Sequence, residues 1–125
     1  QAIYSWQISQ NHVSDIEQQM LLDNDVSKID VEYFQEIVRG VAAHCKELDT
    51  ALAPYTERPY DDVDQIEKAI MRMSAYELKF RMDVPHKVVI NEGIELAKKF
   101  GADDSHKFVN GVLDRAKADL RKPLV

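Results

Sequence analysis

The sequence of 125 residues contains one cysteine, four glycines and four prolines, and it has no long run of apolar residues. A single cysteine cannot form an internal disulfide, so nothing requires an oxidising compartment and the expected location is the cytosol. So few glycines and prolines disfavour a turn-rich β protein. Every apolar stretch falls short of the roughly 20 residues that a membrane-spanning helix needs, so we expect no membrane segment.

Positive charge is also in deficit, with 16 Lys and Arg against 22 Asp and Glu for a formal charge of −6. An acidic balance disfavours a free-standing nucleic-acid binder, because such proteins carry basic surfaces that displace counterions. The charge is uneven, however: residues 98–125 hold seven bases and four acids, so they carry +3 and residues 1–97 carry −9. This pattern fits either two solvated faces of opposite sign or an anion-attracting surface near the C-terminus.

Helical periodicity dominates the hydrophobic pattern and predicts an all-α fold. The third and fourth predicted pieces show it best, because Phe34, Val38, Val41, Cys45, Leu48 and Leu52 form one apolar stripe, in which Cys45 is a core residue. A break at residues 54–62 divides residues 1–125, a single predicted domain, into two small helical bundles that share one core. Gly40, Gly93 and Gly111 fall inside helical patterns, which predicts close helix packing at each. The seven predicted helical pieces are 1–9, 13–22, 30–45, 46–53, 63–82, 87–100 and 105–120.

No pattern supports catalysis or a metal site. The four histidines lie in separate segments, without the four-residue spacing that places two imidazoles on one helix face. The glycines are isolated from one another and form no phosphate-binding loop, and no serine lies in a nucleophile-elbow pattern. Glu77 lies beside an apolar stripe, where a carboxylate is either a structural ion pair, an acid–base group or a partner contact.

The segment at residues 98–111 is the candidate ligand-binding edge. Phe108 follows Lys107 at a predicted helix start, where a base and an aromatic ring can hold a phosphate and stack a nucleobase. The alternative is that Phe108 completes the core. Gly101 is placed to end the preceding helix as a left-handed cap.

Four stretches of this chain, which form three separated blocks, carry a family resemblance. The most specific is Phe-Gly-Ala-Asp-Asp-Ser-His-Lys-Phe-Val-Asn-Gly-Val-Leu-Asp at residues 100–114. This block resembles the C-terminal signature of the NusB family of bacterial transcription antitermination factors. Residues 84–99 resemble the preceding helix of that family, residues 67–78 its central helix and residues 1–7 the end of its first helix. The sequence departs from the family pattern in two ways. Gly93 stands where family members often have Ala, and the arginine-rich arm of the family is expected to be missing ahead of the first residue.

The resemblance implies two perpendicular three-helix bundles with an added helix, and a binding protein rather than an enzyme, with no cofactor or metal. NusB-like proteins bind boxA RNA together with NusE, a ribosomal small-subunit protein. The complex joins RNA polymerase and other Nus factors and suppresses premature termination, notably in ribosomal RNA operons. Carried over by position, the resemblance puts Tyr4, Asp104, Lys107 and Phe108 near the RNA surface, and Asp61 and Glu67 near the NusE surface.

Within this resemblance, Tyr4 and Phe108 form a possible stacking pair for nucleobases. Asp104 repels phosphate, and we hypothesise that it limits RNA affinity and keeps binding dependent on NusE. Two alternative functions stay open. NusB-like domains also form the N-terminal modules of ribosomal RNA cytosine methyltransferases, and an all-helical domain of this kind can also be a protein-only adaptor.

Overall fold

The computed structural model of the chain describes residues 2–9 and 28–121. Two 3₁₀ turns, Ala53–Tyr55 and Tyr60–Asp62, lie between the helices Cys45–Leu52 and Gln65–Phe80. The described ranges contain no strand, and none of their helices is long and apolar enough to cross a membrane. The six α-helices of these ranges are α1 (Ala2–Ser9), α2 (Lys28–Ala43), α3 (Cys45–Leu52), α4 (Gln65–Phe80), α5 (His86–Phe100) and α6 (Ser105–Leu120).

The all-α prediction is confirmed, and six of the seven predicted helical pieces match observed helices to within two residues at each end. The predicted piece at 13–22 lies outside the described residues. The start of α4 shows why boundaries shift: Asp64 caps the helix, accepting hydrogen bonds from the amides of Ile66 at 3.0 Å and Glu67 at 3.3 Å. The helix therefore begins one residue after the cap, at Gln65, and not at residue 63.

The long helix α4 lies at the centre of the fold. It contacts α5 and α6, which also pack against each other, and it contacts α1, α2 and α3. Large apolar side chains from α3, α4 and α6 are fully buried there, among them Leu48, Met71 and Leu113. Cys45 is only half-buried, so its prediction as a core residue is wrong. Its thiol lies at the edge of the stripe, with Sγ 3.7 Å from Asp49 Oδ2.

A polar network centred on Asp49 and Arg72 ties the two halves of the chain together. Arg72 Nε and a terminal nitrogen donate to the two carboxylate oxygens of Asp49, at 2.8 and 2.7 Å. The Tyr60 hydroxyl donates to the same carboxylate at 2.7 Å, and Arg72 also donates to Gln7 Oε1 at 2.9 Å. One arginine therefore connects α4 to α3, to α1 and to the chain break at residues 54–62.

Arg121 secures the C-terminal end of α4. Its guanidinium donates to the backbone carbonyls of Leu78 at 2.8 Å, Val84 at 2.6 Å, Arg81 at 3.0 Å and Glu77 at 3.1 Å. The last carbonyls of a helix have no partner within the helix, so a guanidinium satisfies them. The end of α6 thereby fixes the turn that joins α4 to α5.

The glycines within helices differ in what surrounds them. A Cβ atom on Gly40 would overlap the ring of Tyr76, and one on Gly93 would lie 3.0 Å from Ser74 Oγ. A Cβ on Gly111 would meet only the Arg115 guanidinium at 3.5 Å, an ordinary contact. Close packing therefore explains Gly40 and Gly93, whereas the predicted packing reason is wrong for Gly111.

Glu77 is a buried carboxylate on α4. The Tyr33 hydroxyl donates a hydrogen bond to it at 2.5 Å, and among the described residues this hydroxyl contact stands in place of the structural ion pair that was one of the alternatives. Burial raises the pKa of Glu77, and the hydrogen bond from Tyr33 opposes that rise. Nearby charges act in both directions, because Glu92 raises the pKa and Arg81 lowers it.

Alanine substitutions at Gly40 and Gly111 should have opposite effects on stability. We expect Gly40→Ala to lower the free energy of unfolding by about 1–3 kcal/mol, because the added methyl overpacks the Tyr76 ring. Gly111→Ala should raise it by about 0.5–1 kcal/mol, because it removes the entropic cost of glycine in a helix. Urea unfolding of both variants measures these changes, and a Gly40→Ala variant as stable as the wild type would contradict the packing.

The buried carboxylate predicts a pH-dependent effect of Glu77→Gln. A carboxyl group whose pKa is raised on folding stabilises the native state at low pH, and this contribution is lost as the pH rises through the folded pKa. We therefore expect Glu77→Gln, whose amide oxygen can still accept from Tyr33, to gain stability relative to the wild type between about pH 4 and about pH 7. Urea unfolding at both pH values tests this. The exposed Glu95→Gln serves as the control and should show no such gain.

Candidate nucleic-acid interface

The candidate ligand-binding edge, residues 98–111, spans the end of α5, the loop that follows it and the start of α6. Gly101 has an extended backbone, with φ −93° and ψ 178°, so its prediction as a left-handed cap is wrong. A Cβ atom there would come within 2.6 Å of Ser105 Cβ and 2.8 Å of the Ala97 carbonyl oxygen. Glycine is needed at this position because the loop folds tightly against the start of α6.

Asp104 and Lys107 lie at the surface of this edge. Their side chains are 85% and 73% exposed, and Lys107 Nζ is 3.6 Å from Asp104 Oδ1. Asp104 is the residue before the first turn of α6, but its carboxylate makes no capping hydrogen bond and faces solvent. Solvent-exposed pairs of this kind contribute little to stability, so both charges are available to a ligand.

Phe108 is half-buried and packs against the hydrophobic core. The Arg58 guanidinium lies over the ring, 4.3 Å from its centroid. Phe108 therefore contributes to the core and also to the surface, and the surface face carries an arginine that the sequence analysis did not single out.

A tightly held loop presents Arg58. Thr56 is buried, and its hydroxyl lies 3.0 Å from the Ala53 carbonyl oxygen and 2.7 Å from that of Arg58. Glu57 has a left-handed backbone with φ 62°, which is unfavourable for a residue other than glycine. Its carboxylate accepts a hydrogen bond from Arg115 at 2.8 Å. The signal in the sequence was weak, since Arg58 is one base beside Pro59 in an irregular break.

Glu67 joins the first turn of α4 to this edge. It is 6% exposed, it pairs with Arg58 at 3.5 Å, and the buried Ser105 hydroxyl hydrogen-bonds to it. Burial raises the pKa of Glu67, while Ser105 and Arg58 act to lower it. Its carboxylate is thus largely turned inward, toward groups of its own chain.

The other two predicted site residues are exposed. Asp61 lies in the second 3₁₀ turn, next to Tyr60, whose hydroxyl is anchored on Asp49. Tyr4 is 40% exposed on α1, the helix that packs against α4 and α2. The structure thus brings Asp104, Lys107 and Phe108 together at the start of α6, and it links Glu67 to them through Arg58 and Ser105. Their roles toward RNA and NusE stay predictions.

Among the described residues, no group of three or more His, Cys, Asp or Glu side chains is arranged to hold a metal ion.

The chain is similar to proteins of one family throughout its length. A sequence model of the NusB family matches residues 1–118. Transcription antitermination protein NusB of Pseudoalteromonas translucida is 66% identical over 122 residues, which cover 98% of this chain and 90% of that protein. Transcription antitermination protein NusB of Idiomarina loihiensis is 64% identical over 116 residues, covering 93% of this chain and 84% of that protein.

Solved structures show the same fold. T. maritima NusB superposes with a TM-score of 0.84 at 30% identity, over 94% of this chain and 84% of that one. A chain from a crystal structure of the antitermination factors NusB and NusE in complex with double-stranded RNA has a TM-score of 0.87 at 23% identity, over 94% of this chain and 89% of that one. With the sequence matches, these similarities establish that the chain belongs to the NusB family.

Proposed function

We propose that this protein is a transcription antitermination factor that binds boxA RNA together with NusE. It joins other Nus factors on RNA polymerase in the bacterial cytoplasm and acts by binding rather than by catalysis. The observation that carries the proposal is the 66% identity, over 98% of the chain, to a transcription antitermination protein. The same similarity favours this function over that of a methyltransferase module.

The start of α6 supports the RNA-binding part of the proposal. Single-stranded RNA is bound by stacking of bases on aromatic rings and by basic groups that attract phosphate. Phe108 is half-buried under the Arg58 guanidinium, and it follows Lys107, whose side chain is exposed. Tyr4 contributes an exposed ring from α1.

Exposed acids in the chain break support the protein-binding part. Asp61 and Asp62 are both exposed, and they form an acidic surface suited to a basic partner such as a ribosomal protein. We assign the direct contact to Asp61. Glu67 is buried against Arg58 and Ser105, which supports a role in holding the neighbouring loop and helix rather than an independent contact.

Titration of labelled boxA RNA with the protein, alone and with NusE, tests the function. We expect weak binding by this acidic chain alone and a marked gain with NusE, because the partner supplies basic surface. In the absence of NusE, Asp61→Lys should bind RNA as the wild type does. It should lose most of the affinity gain that NusE provides, because like charges at an interface repel. The absence of any boxA-dependent shift, with or without NusE, would contradict the proposal and favour a protein-only adaptor.

Asp104→Asn should strengthen RNA binding. The exposed carboxylate lies beside Lys107 and repels phosphate, and two unit charges 4 Å apart in water interact by about 1 kcal/mol, so we expect a gain on the order of fivefold. Filter-binding titrations measure the effect, with Asp114→Asn on the same helix as the control. Unchanged or weaker affinity of the Asp104 variant would contradict the assignment.

A further inference from the structure

We propose that Arg58 is an RNA-contacting residue. A nucleobase of single-stranded RNA stacks on the outer face of its guanidinium, while the inner face packs against Phe108. The inference rests on the proposed function and adds to it a residue from a different segment of the chain. The resulting order of layers is Phe108, Arg58 and then the base. Guanidinium planes serve as stacking platforms for unpaired bases, as aromatic rings do.

The first observation that carries the proposal is the position of the guanidinium. It lies 4.3 Å from the centroid of the Phe108 ring, within the range of a cation–π contact. The Arg58 side chain is nevertheless 47% exposed, so it covers the ring and still presents surface to solvent. A base that approaches Phe108 from this side meets Arg58 first.

The second observation is the preorganisation of the loop. Buried Thr56 anchors it through its hydroxyl, and Arg115 holds the Glu57 carboxylate at 2.8 Å. Between these anchors Glu57 keeps a left-handed backbone, a conformation that persists in a non-glycine residue only where its surroundings enforce it. An arginine presented in this way loses little conformational freedom when it binds a ligand.

The third observation is how other arginines of the described chain are engaged. Arg72 makes two short hydrogen bonds to Asp49, and Arg121 donates to four backbone carbonyls. Arg81 is held by carboxylates on two sides, at 2.5 Å from Glu36 and 3.1 Å from Asp83. The carboxylate contact of Arg58 is longer, 3.5 Å to Glu67, so its remaining N–H groups can donate to an RNA phosphate or base edge.

Glu67 acts in this arrangement as a positioning residue. Its carboxylate is hydrogen-bonded by the Ser105 hydroxyl in the first turn of α6, and it contacts the guanidinium that lies over Phe108. It thereby fixes the position of the Arg58 side chain relative to α6, the helix that contains Phe108. Glu67 is too deeply buried to touch the RNA itself.

The test compares Arg58→Lys and Arg58→Gln with the wild type in anisotropy titrations of labelled boxA RNA, with NusE present, at several salt concentrations. Arg58→Lys keeps the charge and removes the planar group. We therefore expect RNA affinity to fall about fivefold or more, which is the lower end of the loss expected when one base no longer stacks. The salt dependence of binding should not change. Arg58→Gln should fall further, and the slope of log K against log salt should shrink by about 0.7, the amount for one phosphate contact.

Lys46→Gln is the matched control, because it removes one exposed positive charge at the start of α3. It should leave both affinity and slope near their wild-type values. Thermal unfolding and NusE binding are measured for every variant, and both should be unchanged for Arg58→Lys if the residue acts on RNA. Affinity of Arg58→Lys equal to that of the wild type would overturn the inference while leaving the proposed function intact. A wild-type chain that binds no boxA RNA would overturn both.

Discussion

The pairing of Asp49 with Arg72 is the interaction on which most of the architecture depends. The Asp49 carboxylate accepts from the Arg72 guanidinium at two points and from the Tyr60 hydroxyl, while Arg72 also reaches Gln7 on α1. Partly buried ion pairs of this kind add modest net stability, but removal of one partner costs about 3–5 kcal/mol because a charge is left unpaired. Their main effect is to fix geometry. Here the pair fixes where the irregular segment between α3 and α4 lies, and that segment carries Arg58 and Asp61.

The proposed RNA edge accordingly draws on three parts of the chain. The loop at residues 56–58 supplies the guanidinium, the first turn of α4 supplies the buried Glu67, and the first turns of α6 supply Ser105 and Phe108. The acidic turn with Asp61 lies three residues after Arg58 in the same segment. A surface proposed for protein and a surface proposed for RNA therefore share one short stretch of backbone. This proximity offers a physical route by which a bound protein partner can affect RNA affinity.

The helices could be predicted from the sequence because their signals are local. Apolar spacing and the prolines each act within a few residues, and the observed bounds follow them to within two residues. Individual environments could not be predicted in the same way. The family resemblance places Glu67 near a partner surface, yet it is buried and hydrogen-bonded by Ser105, which lies 38 residues later in the chain. Arg58 and Phe108 are 50 residues apart, and no local pattern indicates that a guanidinium covers that ring.

The ties between the chain break and α6 have a consequence for synthesis of the protein. The Tyr55 hydroxyl bonds to Asp119, Glu57 pairs with Arg115, and Arg58 lies over Phe108, so three successive parts of the break are held by the last helix. During translation the break leaves the ribosome well before α6 exists, and domains tend to complete their folding as units. Until then the strained loop at Glu57 has only its local hydrogen bonds from Thr56, and it lacks the contact with Arg115. Competence to bind RNA at this edge is therefore acquired late, when the final helix of the described chain has emerged and docked.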